Sequence, residues 1–419
     1  MRKVLILWLL ILTLPAGSQV TAQWRGPARD GIYPGENLAE SWPSEGPALL
    51  WQAEGIGTGY SSVSGDGDYL FVTGKKGDQD VMTALTAEGK IRWQTPFGPA
   101  FDGPFPETRT TPTYDGERVY AISGKGTVAC LDPATGSIVW KVDGIGKFGG
   151  VSGTWGVCES PLVFGNTLIY TPAGPSTTMV ALDKTTGKTI WTSASINDTT
   201  AYVSPRLIRT GNRDIIATLT ERWFFGVDAA DGRILWKFDF ASYHPLPGLN
   251  IWPGAPRTNT ITPLYDQEMI YITGGYDHGG LMFRLSAGGD SITRVWADTV
   301  LDCHHGGVVK IGNCIYGSNW LDNSRGNWCC LDWATGKTLY EEKWFTKGAM
   351  IAAGGMLYIL DEKNGHMGLV KADPARFEVT GSFVVPSGKG PFWAHPVISH
   401  GKLLIRHGDV LMAYDISRK

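Results

Sequence analysis

The adjacent pair His304-His305 is the sharpest chemical signal in this sequence. Imidazole exchanges protons near neutral pH, and two imidazoles with one carboxylate form a set that holds transition metals. Glu159 is the acidic side chain that we place with the pair, so the predicted acid–base residues are Glu159, His304 and His305. The structural alternatives are packing of an imidazole between sheets and an ion pair between Glu159 and Arg109. We assign no particular metal to this pattern.

A second set of side chains is suited to holding a ligand. Arg109 and Lys347 carry charges that match carboxylates. Trp155 and Trp393 offer flat faces on which a ring or a sugar can stack. A polar or anionic small molecule is therefore the predicted ligand. The predicted ligand-binding residues are Arg109, Lys347, His395, Trp155, Trp393, Tyr202 and Asn259.

Most of these side chains lie just before a dipeptide step that recurs along the chain. The step is Ser or Thr followed by Pro, or a replacement of it, at Thr111-Pro112, Ser160-Pro161, Ser204-Pro205, Thr262-Pro263, Gly306-Gly307 and His395-Pro396. Two positions before the Pro-equivalent residue lie Glu159, His305 and Lys347, and three positions before it lie Tyr60, Arg109, Tyr202, His304 and Trp393. Copies arranged around an axis would bring these side chains to one opening. Alternation along a strand directs one imidazole of His304-His305 to the axis and the other into the sheet contact.

The elements that must position this ring are repeats of one turn and one aromatic residue. CLDPATGSIVW, ending at Trp140, and ALDKTTGKTIW, ending at Trp191, combine an Asp-x-x-Thr-Gly turn with the aromatic side chain. The aromatic positions are 42 to 60 residues apart, the length of a four-stranded propeller blade: Trp51, Trp93, Trp140, Trp191, Trp236, Trp296, Tyr340 and Phe383. The sequence predicts an all-β fold, an eight-bladed β-propeller of four-stranded blades with WD40-like architecture.

The two ends of the chain supply complementary parts of one blade. The last copy, AYDIS, stops without its aromatic residue, whereas PALLWQAEG precedes the first full copy. We therefore predict that residues 47–53 supply the fourth strand of blade eight, so that an N-terminal strand closes the ring. Residues 47–419 then form a single domain, and residues 23–46 form an irregular lead-in that packs across the blades.

Residues 1–22 predict a secretory signal peptide. Arg2 and Lys3 precede an apolar stretch from Val4 to Leu14, and small residues end at Ala22. We expect an exported protein, periplasmic or secreted, with no transmembrane segment after cleavage; an uncleaved anchor is the alternative. The formal net charge is −3 and there is no basic patch or arm, so we expect no nucleic-acid partner. We also expect a monomer.

The repeats resemble those of a known family. The pattern Ala-x-Asp-x-x-Thr-Gly-x-x-x-Trp is similar to the repeats of pyrroloquinoline-quinone (PQQ) dehydrogenases and of the outer-membrane assembly propeller lipoprotein. QWRGPARDGIYP, HHGGVV and WAHPV resemble an exported branch of PQQ-like propellers with undefined activity. Similarity to the dehydrogenases implies PQQ with Ca²⁺ and oxidation of an alcohol or sugar. Glu159 or a histidine would then accept the proton, and Arg109 and Lys347 would hold carboxylates. Similarity to the assembly lipoprotein implies a non-catalytic module that binds envelope proteins.

Two local features have competing interpretations. Cys329-Cys330 resembles a vicinal disulfide, but adjacent residues of a strand face opposite sides, so we favour core packing. The six cysteines of an exported chain permit disulfides, although no spacing identifies a pair. The insertion at 240–259, rich in Pro and Gly, is either a packing loop or a rim that brings Asn250, Trp252 and Arg257 to the opening.

Overall fold

The computed structural model of the protein describes residues 23–211, 213–243 and 258–419. The predicted signal peptide and the insertion residues Asn250, Trp252 and Arg257 lie outside the described residues. In the described part of the chain, no helix is long and apolar enough to cross a membrane. That part is almost entirely β-structure, as the sequence predicts, with 33 strands and one short α-helix.

The strands form eight antiparallel sheets, which are the eight predicted blades. Two strands precede the first blade, β1 (Ile32–Tyr33) and β2 (Ala48–Glu54). Blade one contains β3 (Ser64–Gly65), β4 (Tyr69–Lys76), β5 (Gln79–Thr86) and β6 (Ile91–Pro99). Blade two contains β7 (Thr113–Tyr114), β8 (Val119–Ile122), β9 (Thr127–Leu131) and β10 (Ile138–Asp143), followed by α1 (Gly144–Phe148). Blade three contains β11 (Leu162–Phe164), β12 (Thr167–Tyr170), β13 (Val180–Asp183) and β14 (Thr189–Thr192).

The remaining blades follow in chain order. Blade four contains β15 (Arg206–Arg209), β16 (Asp214–Leu219), β17 (Trp223–Asp228) and β18 (Ile234–Asp239). Blade five contains β19 (Leu264–Asp266), β20 (Met269–Gly274), β21 (Gly279–Leu285) and β22 (Ile292–Asp298). Blade six contains β23 (Val309–Ile311), β24 (Cys314–Ser318), β25 (Trp328–Asp332) and β26 (Thr338–Glu342). Blades seven and eight contain β27 (Gly348–Ala353), β28 (Met356–Asp361), β29 (His366–Lys371) and β30 (Val379–Val384), then β31 (Val397–Ser399), β32 (Lys402–His407) and β33 (Val410–Asp415).

The N-terminal strand β2 closes the ring, which confirms the prediction. It pairs antiparallel with β33, with Ala48 opposite Asp415 and Glu54 opposite Val410, and supplies the fourth strand of blade eight. Backbone hydrogen bonds therefore hold the two ends of the described chain together.

The lead-in is not wholly irregular. Its strand β1 pairs parallel with β27, with Ile32 opposite Ala352, and adds a fifth strand to blade seven. A two-residue strand is too short to produce an alternating pattern, so the sequence did not reveal it.

At five of the eight aromatic positions, the repeated tryptophan joins one blade to the next. Its indole Nε1 donates to the carbonyl of the second residue in the next blade's turn, as from Trp93 to Pro133 at 3.0 Å and from Trp140 to Lys184 at 3.0 Å. The turn glycine lies against the same ring, because a Cβ on Gly136, where φ is 74°, would come within 2.5 Å of Trp93. The turn motif and the tryptophan recur together because they form one contact.

The two adjacent cysteines pack in different cores, as alternation predicts. Cys329 belongs to the hydrophobic cluster between blades five and six, and Cys330 to the cluster between blades six and seven. All six cysteines are free thiols.

Candidate ligand-binding site

A cavity of about 450 Å³ opens where the segments leading into the first strands of the blades meet. In blade seven its wall is formed by Lys347, two positions before the Pro-equivalent residue. The other seven blades each contribute the residue three positions before it: Tyr60, Arg109, Cys158, Tyr202, Thr260, His304 and Trp393. The repeat register thus assembles one site from residues spread along most of the chain.

The Ser/Thr-Pro step holds this ring together. The Thr111 hydroxyl accepts a hydrogen bond from Ser62 N at 2.9 Å, and the Ser160 hydroxyl accepts one from Thr111 N at 2.9 Å. The Ser204 hydroxyl accepts one from Ser160 N at 3.0 Å. Each of these hydroxyls therefore bonds the backbone of the preceding blade, and the step fixes the level at which the cavity residues emerge.

Most of the predicted site residues meet in this cavity. Asn259 does not line it, because its Nδ2 donates to the carbonyl oxygens of Thr220 at 2.9 Å and Glu221 at 3.1 Å. Glu159 does not line it either. The predicted residues that do line it are Arg109, Trp155, Tyr202, His304, His305, Lys347, Trp393 and His395.

Glu159 points away from the cavity because side chains alternate along an extended chain. Its neighbours Cys158 and Ser160 line the cavity, whereas Glu159 is 4% exposed and its Oε2 accepts a hydrogen bond from Thr171 N at 3.2 Å. Burial raises the pKa of Glu159 to about 8, against the opposing effects of Thr171 and Arg29. Its position therefore does not match the predicted role of a base in the cavity.

Arg109 lies at the rim and forms no ion pair with Glu159. Its guanidinium donates to the carbonyl oxygen of Glu107 at 3.2 Å and to that of Phe105. It also lies 5.8 Å from the centre of the Tyr60 ring. Arg109 thus holds the rim loop that carries the exposed ring of Phe105.

A buried charged cluster forms the blade-seven side of the cavity. Lys347 Nζ pairs with Glu362 Oε1, and His305 Nε2 lies 3.0 Å from Glu362 Oε2. Burial alone would raise the pKa of Glu362, but its contacts with His305 and Lys347 outweigh burial and lower it. Sequence analysis missed Glu362 because it follows β28 and lies outside the Ser/Thr-Pro register. Within each blade, the loop from the second to the third strand lies on the same face as the segment that leads into the first strand. This topology was the signal that could have identified Glu362.

Both imidazoles of His304-His305 line the cavity, contrary to the prediction from alternation. The chain bends at residues 304–306, before Gly307 with φ of 74°, so it is not an extended strand there. Burial, followed by His305 and Lys347, lowers the pKa of His304 well below 6.5, so this imidazole is neutral. Its buried Nδ1 has no hydrogen-bond partner among the residues that the structure describes.

The lead-in forms part of the cavity, a role that sequence analysis did not identify. Trp24 lines the cavity, with its ring centre 4.5 Å from that of His395. Arg25 Nη1 lies 2.9 Å from His395 Nδ1 and can only donate, so the imidazole proton lies on Nε2, 2.8 Å from the His305 carbonyl oxygen. Burial, followed by the charge of Arg25, lowers the pKa of His395 well below 6.5.

Two lead-in arginines bridge five blades below this site. Arg25 and Arg29 are 3% and 1% exposed. Burial lowers the pKa of Arg29 to about 9, although Glu159 opposes this. We call the segment 24–30 that carries both arginines the floor. The two arginines donate to the carbonyl oxygens of Ser160, Pro161, Pro205, Val308 and Met350.

The charges of the site do not suit the cofactor that the resemblance implies. PQQ is a tricarboxylate, which calls for several cations that are free to bind it. Lys347 is paired with Glu362, and Arg25 is engaged by carbonyl groups and His395. Among the described cavity-lining residues this leaves Arg109 as the cation without a carboxylate partner or full burial. The described residues also contain no group of three or more His, Cys, Asp or Glu side chains placed to hold a metal.

Comparisons with solved structures agree with the fold. The crystal structure of BamB from Moraxella catarrhalis matches with a TM-score of 0.63 and 14% identity, covering 88% of this chain and 99% of that one. Quinohemoprotein alcohol dehydrogenase from Comamonas testosteroni matches with a TM-score of 0.68 and 12% identity, covering 96% of this chain and 81% of that one. A europium-containing methanol dehydrogenase matches with a TM-score of 0.58 and 12% identity, covering 94% and 91%. No curated protein sequence matches the chain.

A family model gives the remaining comparison. The model described as outer membrane protein assembly factor BamB matches residues 43–147 and 77–339, which together exceed half of the chain. The blade repeats, the eight-bladed ring and this match agree with one another. The chain belongs to the PQQ-like β-propeller family.

Proposed function

We propose that this protein binds a polar, ring-shaped small molecule in its axial cavity. The observation that carries the proposal is the buried Nδ1 of His304, which lines the cavity side of blade six and has no partner within residues 23–211, 213–243 and 258–419. An unsatisfied buried polar atom costs about 1–3 kcal/mol, so a group of this kind calls for an explanation. A ligand that bonds to it supplies one.

Aromatic rings that line the same cavity as His304 support a ring-shaped ligand. Phe105 lies 5.2 Å from Trp393 and 6.0 Å from Trp155, measured between ring centres. Tyr60 lies 4.9 Å and His305 5.5 Å from Trp393 by the same measure. This arrangement presents flat apolar faces next to polar atoms, as small-molecule sites do.

The same cavity contains a group suited to proton transfer. His305 lies beside the Glu362 carboxylate, and an imidazole next to a carboxylate can accept a proton from a bound hydroxyl group. Because the cations do not suit PQQ, we derive no oxidation step. The proposal is binding in the periplasm or outside the cell, in keeping with the predicted signal peptide.

Two exposed phenylalanines provide a matched test. Phe105 and Phe345 are 49% and 48% exposed and share a φ of 52°, but Phe345 does not line the cavity. Polar ring compounds are screened by thermal shift, and those that stabilise the protein are titrated calorimetrically. Phe105→Ala should weaken binding about tenfold, a loss of about 1.4 kcal/mol, and Phe345→Ala should leave it unchanged. Equal effects of the two variants, or no binding by any compound, would contradict the proposal.

A second candidate function is docking of an envelope protein on the outer strands. The fourth strands of the blades expose apolar side chains beside unpaired backbone groups, which suits strand addition. Recovery of one envelope protein with the wild type, and its loss with Val384→Asp, would favour this function over ligand binding. The exposed apolar residues are Leu49, Leu50, Ile91, Val139, Ile190, Leu339 and Val384.

A further inference from the structure

The charges around the cavity are balanced or already bound to the protein. Lys347 is 3% exposed and its ammonium group pairs with the carboxylate of Glu362, so the two charges cancel. Arg25 is equally buried, and its guanidinium donates to Met350 O, Val308 O and His395 Nδ1. An anionic ligand would have to compete for these cations with partners that already satisfy them.

The imidazoles contribute hydrogen-bonding atoms without charge. Burial keeps His304 and His395 neutral near pH 7. His395 is held in one tautomer between Arg25 and the His305 carbonyl oxygen. His304 therefore offers an uncharged nitrogen, Nδ1, which can pair with a hydroxyl group in either tautomer but with a carboxylate only when it carries the proton.

Arg109 adds one positive charge at the rim, but its surroundings reduce the field that a ligand meets. Two of its donors hold the carbonyl oxygens of Glu107 and Phe105. The Glu107 carboxylate is nearby and accepts a hydrogen bond from Tyr60 at 3.0 Å. Arg109 thus mainly positions the rim loop that carries Phe105.

Hydroxyl groups complete the polar part of the cavity. The hydroxyls of Ser160 and Ser204 each accept a backbone N–H, and Tyr202 accepts one from Trp155 N at 3.2 Å. A hydroxyl that accepts one bond keeps its own proton to donate. The cavity therefore presents several neutral donors and acceptors together with its aromatic rings.

We infer that the ligand is an uncharged, polyhydroxylated ring, namely a monosaccharide or disaccharide, stacked at Trp393 and bonded through a hydroxyl group to His304 Nδ1. The inference rests on the proposed function and deepens it. An uncharged sugar has hydroxyl groups for the neutral partners and an apolar ring face for the aromatic rim. It needs no free cation, which distinguishes it from PQQ. A volume of about 450 Å³ lies within the range of small-molecule sites.

The test is calorimetric titration of the purified protein with two panels of probes. The neutral panel contains common pyranoses, maltose, cellobiose and trehalose, and the anionic panel contains glucuronate, glucose 6-phosphate and PQQ with Ca²⁺. We expect a neutral sugar to bind, with a Kd that changes less than twofold between 0.05 and 0.5 M NaCl, because screening acts on charge pairs. Binding of an anionic probe alone would overturn the inference and leave the proposed function standing. Binding of neither panel would overturn both.

Variants assign the binding to His304. His304→Phe keeps a ring and removes Nδ1, so the Kd for the sugar should rise about tenfold or more. His400→Phe is the matched control, because His400 is exposed and its Nδ1 contacts Ser399 outside the cavity lining. Denaturant unfolding of both variants shows whether the fold is retained. If His304→Phe is folded and binds as tightly as the wild type, the inference is wrong.

Discussion

The floor and the wall of the axial cavity contain similar side chains but satisfy them differently. In the floor, Arg25 and Arg29 are buried, and their donors reach carbonyl oxygens of four blades. In the wall, His304 is neutral and its buried Nδ1 has no partner in the described part of the chain. Both regions are polar and near the axis, so position alone does not separate a structural group from a binding group.

The comparison shows that hydrogen-bond satisfaction separates the two roles. A buried cation whose donors all have partners stabilises the fold, and losing it leaves several carbonyl groups unpaired. A buried polar atom without a partner lowers stability and is available to a ligand. We therefore expect substitutions in the floor to change stability, and substitutions in the wall to change ligand binding.

The largest expected effect at a single pH is loss of a floor arginine. Arg25→Ala removes bonds to Met350, Val308 and His395 and should lower the free energy of unfolding by about 4 kcal/mol. Urea unfolding measures this change. Arg209→Ala is the control, since Arg209 is a surface residue and its loss should change stability by less than about 0.5 kcal/mol. Similar losses of stability for both variants would contradict a structural role of the floor.

The next effect is the pH dependence of stability that Glu159 produces, which distinguishes this residue from Glu362, the carboxylate in the cavity. The folded-state pKa of Glu159 is raised to about 8 from 4.5, so its contribution to stability is full below pH 4.5 and is lost as pH rises towards 8. Because glutamine does not ionise, Glu159→Gln should not lose this stability as the pH rises. The stability difference between variant and wild type should grow by up to about 1.4 kcal/mol per pH unit across this window. A difference that is the same at pH 4.5 and pH 8 would show that Glu159 is not a neutral buried acid.

A smaller effect tests the contact between the floor and blade six. A Cβ on Gly307 would overlap the Arg25 guanidinium, whereas Gly312, also at positive φ, has open space around it. Gly307→Ala should destabilise the protein by about 2 kcal/mol more than Gly312→Ala, since both share the backbone strain and only the first displaces Arg25. Thermal unfolding of the two variants gives this difference. Equal melting temperatures would mean that the Arg25 side chain moves aside without a loss of stability.

The smallest effect concerns the hydroxyl ring. Thr111→Val keeps the shape of the side chain but removes the oxygen that accepts the Ser62 amide. The buried amide loses its partner, and the free energy of unfolding should fall by about 1.5 kcal/mol. Thr189→Val, on the exposed face of β14, is the control and should be close to neutral. Equal urea midpoints for the two variants would rule out this role of the Ser/Thr-Pro step.

The repeats allowed the ring and most of the cavity to be predicted from sequence. At five positions the Trp and the turn of the next blade form one contact between blades, so the two signals recur together and their spacing predicted the number of blades. The Ser/Thr-Pro step also recurs from blade to blade, so its register predicted that Arg109, His304 and Trp393 lie at one opening.

The site residues that the sequence did not predict lie outside that register, or their side-chain direction depends on whether the chain is extended or bent there. Glu159 faces away because the chain is extended at blade three, whereas His305 lines the cavity because the chain bends at blade six. Glu362 comes from a loop between strands, and Arg25 from a lead-in without repeats. Such contacts depend on tertiary packing, which the periodicity of the sequence does not predict.

The most direct test of the central claim is a crystal structure of the protein with the neutral sugar that binds most tightly. We predict the sugar ring against Trp393 and one of its hydroxyl groups within hydrogen-bond distance of His304 Nδ1. A sugar bound elsewhere on the propeller, or a protein group bonded to His304 Nδ1 while the sugar is bound, would contradict the account.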